Sequence, residues 1–152
     1  MLAGKTILVT GAAGTIGTAA AALFAGHNAK LFLVDRDRDR LAVLAARFPQ
    51  NRVRSYVADL TRAAEVAAMF TAAAEPFGAI DAAVLGAGIE GPVGPIESCE
   101  DADFAAVMSV NVTSVWLCLK ASLAARRGAR FRRPGLTDVL ALGMGRHCGV
   151  RP

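Results

Sequence analysis

Hydrophobic and polar positions along the first 85 residues predict seven elements of regular structure. Short apolar runs rich in β-branched residues predict strands near 5–10, 30–34, 52–58 and 80–85. Apolar residues at the helical period predict helices near 14–26, 37–48 and 62–75. Strands that alternate with helices of this size form right-handed crossovers around a parallel sheet. We therefore expect an α/β fold with a doubly wound parallel sheet.

The pattern changes after the fourth predicted strand. Glycine and proline interrupt residues 86–95, which predicts a loop. A helical pattern then begins at Ser98, or at an acidic residue just after it, and continues to about Arg126. From Gly128 the period disappears, and the short apolar run 139–142 fits a strand or a helix equally well. We expect an incomplete domain over 1–127, truncated after the fourth strand and the long helix, and a basic tail over 128–152 of uncertain structure.

Charge is distributed unevenly along the 152 residues, whose net charge is +4. Residues 1–125 hold 10 basic and 12 acidic side chains, whereas residues 126–152 hold seven arginines and only Asp138 as an acid. Basic tails often bind nucleic acid, but this one has a single aromatic residue, Phe131, and no recognisable binding module. We expect no nucleic-acid partner.

The apolar stretches are interrupted by Gly, Asp or Lys before they reach the length that crosses a bilayer. The first residues also lack the basic and apolar regions of a signal peptide. We therefore expect no membrane partner and a cytoplasmic location. Cys99, Cys118 and Cys148 form no CxxC pair, so we expect reduced thiols and no metal site.

The first predicted strand runs into a turn that contains Gly11, Gly14 and Gly17. Such a turn directs the free N–H groups and the positive dipole end of the following helix at a pyrophosphate, and a Cβ would block this approach. Small residues at this spacing also serve ordinary helix–strand packing, so the motif alone leaves both interpretations open.

Asp35 ends the second predicted strand, 24 residues after Gly11. This is close to the roughly 20-residue spacing at which a carboxylate meets the adenosine ribose of a bound dinucleotide. A carboxylate there favours NAD over NADP because it repels a 2′-phosphate, although the neighbouring Arg36 is able to pair with that phosphate. Alternatively, residues 35–39 form an exposed helix start with alternating charges.

Four short motifs, in order, resemble the short-chain dehydrogenase/reductase family over roughly the first 127 residues. They are Thr10-Gly11-Ala12-Ala13-Gly14-Thr15-Ile16-Gly17, Asp59-Leu60, Leu85-Gly86-Ala87-Gly88 and Val110-Asn111-Val112. The resemblance implies a Rossmann-type sheet. It also implies that the first motif binds the cofactor's pyrophosphate, that Asp59 holds the adenine amino group, and that the long helix packs against a partner subunit.

Two of these residues have simpler interpretations. Asp59 is a suitable N-cap for the helix that follows it, and Asn111 is compatible with a solvated or back-bonded position inside a helix. The chain also departs from the family: the glycines at 11, 14 and 17 follow the spacing of its extended branch, and Leu85-Gly86 replaces two asparagines.

The family's general acid/base is a tyrosine followed four residues later by a lysine, which this chain lacks. Tyr56 is the chain's only tyrosine, and Leu60 follows it at that spacing. The family's catalytic serine belongs to a fifth strand that the pattern does not predict, so Asn111 is the one catalytic residue that the resemblance retains. We interpret the loss of pattern after Arg127 as a truncated gene or a shifted reading frame.

The leading functional hypothesis is an NAD-dependent short-chain dehydrogenase/reductase, which moves hydride between nicotinamide and a small-molecule alcohol or carbonyl substrate. The alternatives are an NAD-binding or dimerising module without turnover, and a fragment that barely folds. In each of the first two hypotheses the helix over about 103–126 is expected to form a homo-oligomer. The cofactor residues are expected to be Gly11, Gly14, Thr15, Ile16, Gly17, Asp35, Arg36, Asp59, Leu60, Gly86, Ala87, Gly88 and Val110.

Overall fold

A computed structural model describes residues 2–78, 80–127 and 139–141. Its strands are β1 (Thr6–Thr10), β2 (Lys30–Asp35), β3 (Val53–Val57), β4 (Ala82–Leu85) and β5 (Val139–Ala141). Its α-helices are α1 (Thr15–Gly26), α2 (Arg38–Ala45), α3 (Ala63–Phe77), α4 (Asp101–Met108) and α5 (Ser114–Arg127). The seven elements predicted over the first 85 residues are therefore all present.

The strands form one parallel sheet in the order β3-β2-β1-β4-β5. All five residues of the central strand β1 are buried, because helices cover both faces of the sheet. On one face Leu8 packs with Met69 of α3 and Cys118 of α5. On the other face Ile7 and Val9 pack with side chains of α1 and α2. The doubly wound α/β prediction is confirmed.

The sheet has a fifth strand, whereas the sequence pattern ended it at the fourth. Residues 139–141 lie parallel to β4, with Ala83 opposite Val139 and Leu85 opposite Ala141. An unpaired edge of β4 would leave its backbone donors and acceptors without partners, and β5 supplies them. The rest of the tail lies outside the described residues.

Helix α4 begins later than Ser98. Ser98 lies in a 3₁₀ turn, Ile96–Ser98, where its hydroxyl donates to the Pro95 carbonyl. The helix begins at Asp101. The carboxylates of Asp101 and Asp103 lie in its first turn, where the positive end of the helix dipole attracts them and stabilises the helix. Of the two predicted starts, Ser98 is wrong and the acidic residue just after it is confirmed: Glu100 is the N-cap residue, although its side chain makes no capping hydrogen bond.

Helices α4 and α5 continue into one another through a π-helical segment, Ser109–Thr113. The stretch Asp101–Ala124 is long and apolar enough to span a membrane by length and composition, with a mean hydropathy of 1.5. The expectation that the apolar stretches end before that length is therefore wrong for this helix. The core helix of a soluble protein passes the same test, but only 11% of this window is buried.

Candidate functional site

A cavity of about 520 Å³ opens at the carboxyl ends of β1, β2, β3 and β4. In open parallel sheets, ligands bind at this end, beside the point where the strand order reverses. Here that point lies between β1 and β4, which are neighbours in space. The cavity is also of the size that small-molecule sites have.

Twelve of the residues predicted from the sequence line this cavity: Gly11, Gly14, Ile16, Gly17, Asp35, Arg36, Asp59, Leu60, Gly86, Ala87, Gly88 and Val110. Thr15 and Asn111 do not line it. Thr15 is the exposed first residue of α1, and Asn111 lies in the π-helical segment behind the cavity wall.

Two glycines of the first turn occupy positions that no other residue fits. Gly11 has a φ of +64°, and a Cβ built on it would lie 2.7 Å from the carbonyl oxygen of Gly86. A Cβ on Gly17 would lie 2.7 Å from the Cα of Ala12. Packing alone therefore requires glycine at both positions. The absence of side chains there also leaves the cavity open above the turn.

The N-terminus of α1 faces the same cavity. Its first N–H groups precede the first bond of the helix, which Thr18 N donates to Gly14 O at 2.9 Å. No side chain caps this terminus. Backbone donors and a positive helix end directed into a cavity are the elements of a phosphate site.

The Asp35 carboxylate holds two turns together. One oxygen accepts from Ala13 N at 2.9 Å in the glycine turn, and the other accepts from Asp37 N at 3.1 Å. Asp37 in turn caps α2, accepting from Arg40 N at 3.0 Å. The helix start over residues 35–39 is therefore confirmed. Asp35 also lines the cavity, and its contact with a ribose stays a prediction.

Asp59 is fixed by the turn that follows β3. One of its carboxylate oxygens accepts from the hydroxyl of Thr61 at 2.7 Å and from Thr61 N at 3.0 Å. These two bonds lower the pKa of Asp59, and the charges of Arg62 and Arg36 add to the effect. The N-cap of α3 is Arg62, so the N-cap interpretation of Asp59 is wrong.

The loop after β4 is anchored from both sides. The hydroxyl oxygen of Thr10 accepts from Gly86 N at 3.1 Å and from Ala87 N at 3.4 Å. On the other side, the Asn111 amide bonds to both backbone groups of Ile89. Asn111 is therefore neither solvated nor back-bonded within its own helix.

Sequence reasoning missed several residues that shape the site, namely Arg40, Thr61 and Glu65. Thr10 and Ala13 belong to the first motif, but neither was given a role of its own. Arg40 donates to the Ala13 carbonyl, and Glu65 accepts from Asp59 N. The spacing of Asp37 and Arg40 signals only the cap of α2, in which the backbone N–H of residue 40 donates to Asp37, and it says nothing about the Arg40 side chain. Tyr56 does not line the cavity; its ring packs on Phe32 with centroids 6.1 Å apart.

The sheet order, the glycine turn and the acidic strand ends together define a dinucleotide-binding domain. A family model described as short chain dehydrogenase matches residues 5–130. The chain belongs to the short-chain dehydrogenase family, as the resemblance implied.

Known relatives are similar over most of this chain. The levodione reductase of Leifsonia aquatica is 38% identical over 120 residues, which are 76% of this chain and 45% of that protein. NAD⁺-bound xylitol dehydrogenase superimposes with a TM-score of 0.79 at 32% identity, covering 86% of this chain and 51% of the other.

A 3-ketoacyl-(acyl-carrier-protein) reductase from Brucella melitensis, complexed with NADH, gives a TM-score of 0.79 at 30% identity, covering 85% of this chain and 55% of the other. The chain thus spans about half the length of the relatives it matches. The two solved structures, the xylitol dehydrogenase and the 3-ketoacyl reductase, each contain a nicotinamide dinucleotide. The cavity described here is in keeping with a family that binds such cofactors.

Proposed function

We propose that this chain binds NAD in preference to NADP, in the cavity at the carboxyl ends of its strands. The observation that carries the proposal is the Asp35 carboxylate, which the bonds from Ala13 N and Asp37 N hold at the end of β2. Each oxygen keeps a lone pair for a ribose hydroxyl. Its negative charge opposes a 2′-phosphate. The adjacent Arg36 is exposed and also lines the cavity, so the comparison of NAD with NADP measures which of the two charges prevails.

The remaining predicted residues divide between the two halves of the cofactor. Gly11, Gly14 and Gly17, with Thr15 and Ile16, form the helix end that is suited to the pyrophosphate. Asp59 and Leu60 border the position proposed for adenine. The position proposed for the nicotinamide ribose is bordered by four residues on the other side of the cavity, namely Gly86, Ala87, Gly88 and Val110. When bound, the nicotinamide ring supplies the acceptor or donor of hydride.

For the whole protein we propose an NAD-dependent oxidoreductase of a small-molecule alcohol or carbonyl, located in the cytoplasm. Family membership and the names of its relatives support this reaction class. The 152-residue chain contains Asn111 but no tyrosine with a lysine four residues on. We therefore expect the chain by itself to bind NAD without oxidising alcohols, because positioned acid/base groups supply roughly 10²- to 10⁴-fold of such rates.

Calorimetric titration of the 152-residue chain with NAD and NADP tests the cofactor proposal. We expect NAD to bind more tightly, and Asp35→Ala to remove most of the difference. Asp39→Ala is the matched control, because it removes the same charge from the exposed first turn of α2. Absence of heat with either cofactor at millimolar concentration contradicts the binding proposal, and tighter binding of NADP contradicts the role given to Asp35.

We also propose that the helix 103–126 forms a homo-oligomer. Phe104, Val112 and Trp116 are each more than half exposed on it. A helix that is apolar over so much of its surface needs cover from another molecule. The relation of this helix to an interface in the family, implied by the sequence resemblance, favours a second copy of the chain over a bilayer.

A further inference from the structure

Four hydrogen bonds form a closed ring between the glycine turn and the start of α2. Ala13 N donates to Asp35, and Asp37 N donates to the other oxygen of Asp35. Arg40 N donates to Asp37. The ring closes where the Arg40 guanidinium donates through Nη2 to the Ala13 carbonyl at 2.9 Å.

This ring holds Ala13 by both of its backbone groups. Its N–H is bound by the residue proposed for the ribose, and its carbonyl is bound by a side chain 27 residues away. Ala13 itself precedes Gly14, the N-cap of α1. Orientation of this peptide therefore sets the direction of the N–H groups at the phosphate end of the cavity.

Sequence spacing assigns neither Asp37 nor Arg40 to the cofactor, and of the two Arg40 is the one whose side chain reaches the glycine turn. It borders the cavity, yet its guanidinium is engaged with a carbonyl of the protein. A charged donor on a carbonyl is stronger than a neutral one, and it fixes the carbonyl's direction. Loss of this donor leaves Asp35 as the sole side-chain tether of Ala13.

We propose that Arg40 is a positioning residue that holds the glycine turn in its phosphate-binding geometry. The proposal rests on the function proposed above, and it adds a residue that acts through Ala13 instead of touching the cofactor. Arg40 supports the pyrophosphate end, whereas adenine and ribose binding depend on Asp59 and Asp35.

The test compares Arg40→Ala, Arg40→Lys and Arg38→Ala in the 152-residue chain. Arg38 is the matched control because it begins the same helix, is exposed, and takes no part in the ring. Binding of NAD and of adenosine is measured in about 1 M salt, where the Debye length is about 3 Å, so that general loss of positive charge has little effect.

We expect Arg40→Ala to weaken NAD binding about five- to tenfold, as for loss of one charge-assisted bond. Adenosine has no phosphate, so its affinity should fall less than about twofold by the same reasoning. Arg40→Lys should recover most of the NAD affinity, because an ammonium also donates to a carbonyl. Equal losses for Arg40→Ala and Arg38→Ala, or equal losses of NAD and adenosine binding, overturn the proposal.

Amide hydrogen exchange of the ligand-free variants separates this proposal from the cofactor proposal. If the unaltered chain binds no NAD, the proposed function fails, and the ring is then judged by exchange alone. Faster exchange over residues 11–17 in Arg40→Ala, with none in Arg38→Ala, supports the positioning of the turn by Arg40. Unchanged exchange over these residues overturns it.

Discussion

Asn111 and Ile89 form a reciprocal pair: Ile89 N donates to Asn111 Oδ1 at 2.8 Å, and Asn111 Nδ2 donates to Ile89 O at 2.9 Å. The two residues lie 22 positions apart and join the π-helical segment to the loop after β4. Ile89 borders the cavity, so this pair fixes one wall of the candidate site.

The pair makes Asn111 sensitive to small changes. Asn111→Asp keeps an acceptor for Ile89 N but places a carboxylate against the Ile89 carbonyl, so we expect a loss of about 1–3 kcal/mol in the free energy of unfolding. Thr113→Ala, an exposed change in the same π-helical segment, should stay within about 0.5 kcal/mol. Urea unfolding at neutral pH measures both, and similar values for the two variants would contradict the pairing.

Glycine-to-alanine substitutions at the two ends of α1 should have opposite effects on stability. Gly17→Ala places a Cβ 2.7 Å from the Cα of Ala12, and such overpacking costs about 1–3 kcal/mol. Gly26→Ala meets nothing within 4 Å, and it should stabilise the helix by about 0.5 kcal/mol because alanine loses less backbone entropy. The thermal unfolding midpoints of both variants test this. A higher midpoint for Gly17→Ala than for the unaltered chain would contradict the close contact at Gly17.

The sequence predicted what depends on local pattern. The alternation of apolar strands with helices predicted the parallel sheet. The predicted strand ends placed Asp35 and Asp59 at its carboxyl edge. These inferences need only the period of the chain and the rule that parallel strands share one functional edge.

It missed what depends on tertiary placement. Arg40 reaches Ala13 only because α2 returns beside the glycine turn, and no spacing encodes that distance. Three residues, 139–141, carry no readable period, and their state is decided by the free edge of β4. The length of this helix was predicted, but its apolar character as a potential span was not, because charged residues were counted as interruptions although a long helix tolerates a few of them.

Asp59 predicts a dependence of stability on acidity. Its pKa in the folded chain lies below the ordinary value of 3.8, mainly because of the Thr61 hydroxyl. The stabilisation is therefore complete above pH 3.8 and is lost as the pH falls through the lowered folded value. Thr61→Val should cost about 1 kcal/mol or less at neutral pH, since the Asp59 side chain is 45% exposed and solvent screens its charge.

The cost of Thr61→Val should shrink as the pH falls through the lowered pKa of Asp59, because the protonated carboxyl gains less from the bond. Asp59→Asn provides the control: in that background Thr61→Val should show no dependence on pH, because the titrating group is gone. Urea midpoints over the acid range measure both. If the loss of stability in Thr61→Val stays constant with pH, it arises from packing of the threonine and not from its bond to the carboxylate.

The exposed helix predicts assembly through one face. Phe104, Met108, Val112 and Trp116 recur every four residues and are all exposed, and Trp116 is 63% exposed. Pairing of β5 with β4 covers that edge of β4, so β4 is not available for strand pairing with a second chain. We therefore expect sedimentation velocity to show a concentration-dependent dimer or larger species that forms through this helix.

Trp116→Glu should weaken that association at least about tenfold, because a buried aromatic at an interface centre contributes strongly to affinity. Val43→Glu adds the same charge at a site that is 71% exposed on α2, on the other face of the sheet, and it should leave the sedimentation profile unchanged. A monomer at tens of micromolar would contradict the assembly. Binding of the unaltered chain to neutral lipid vesicles, abolished by Trp116→Glu, would instead assign the helix to a membrane.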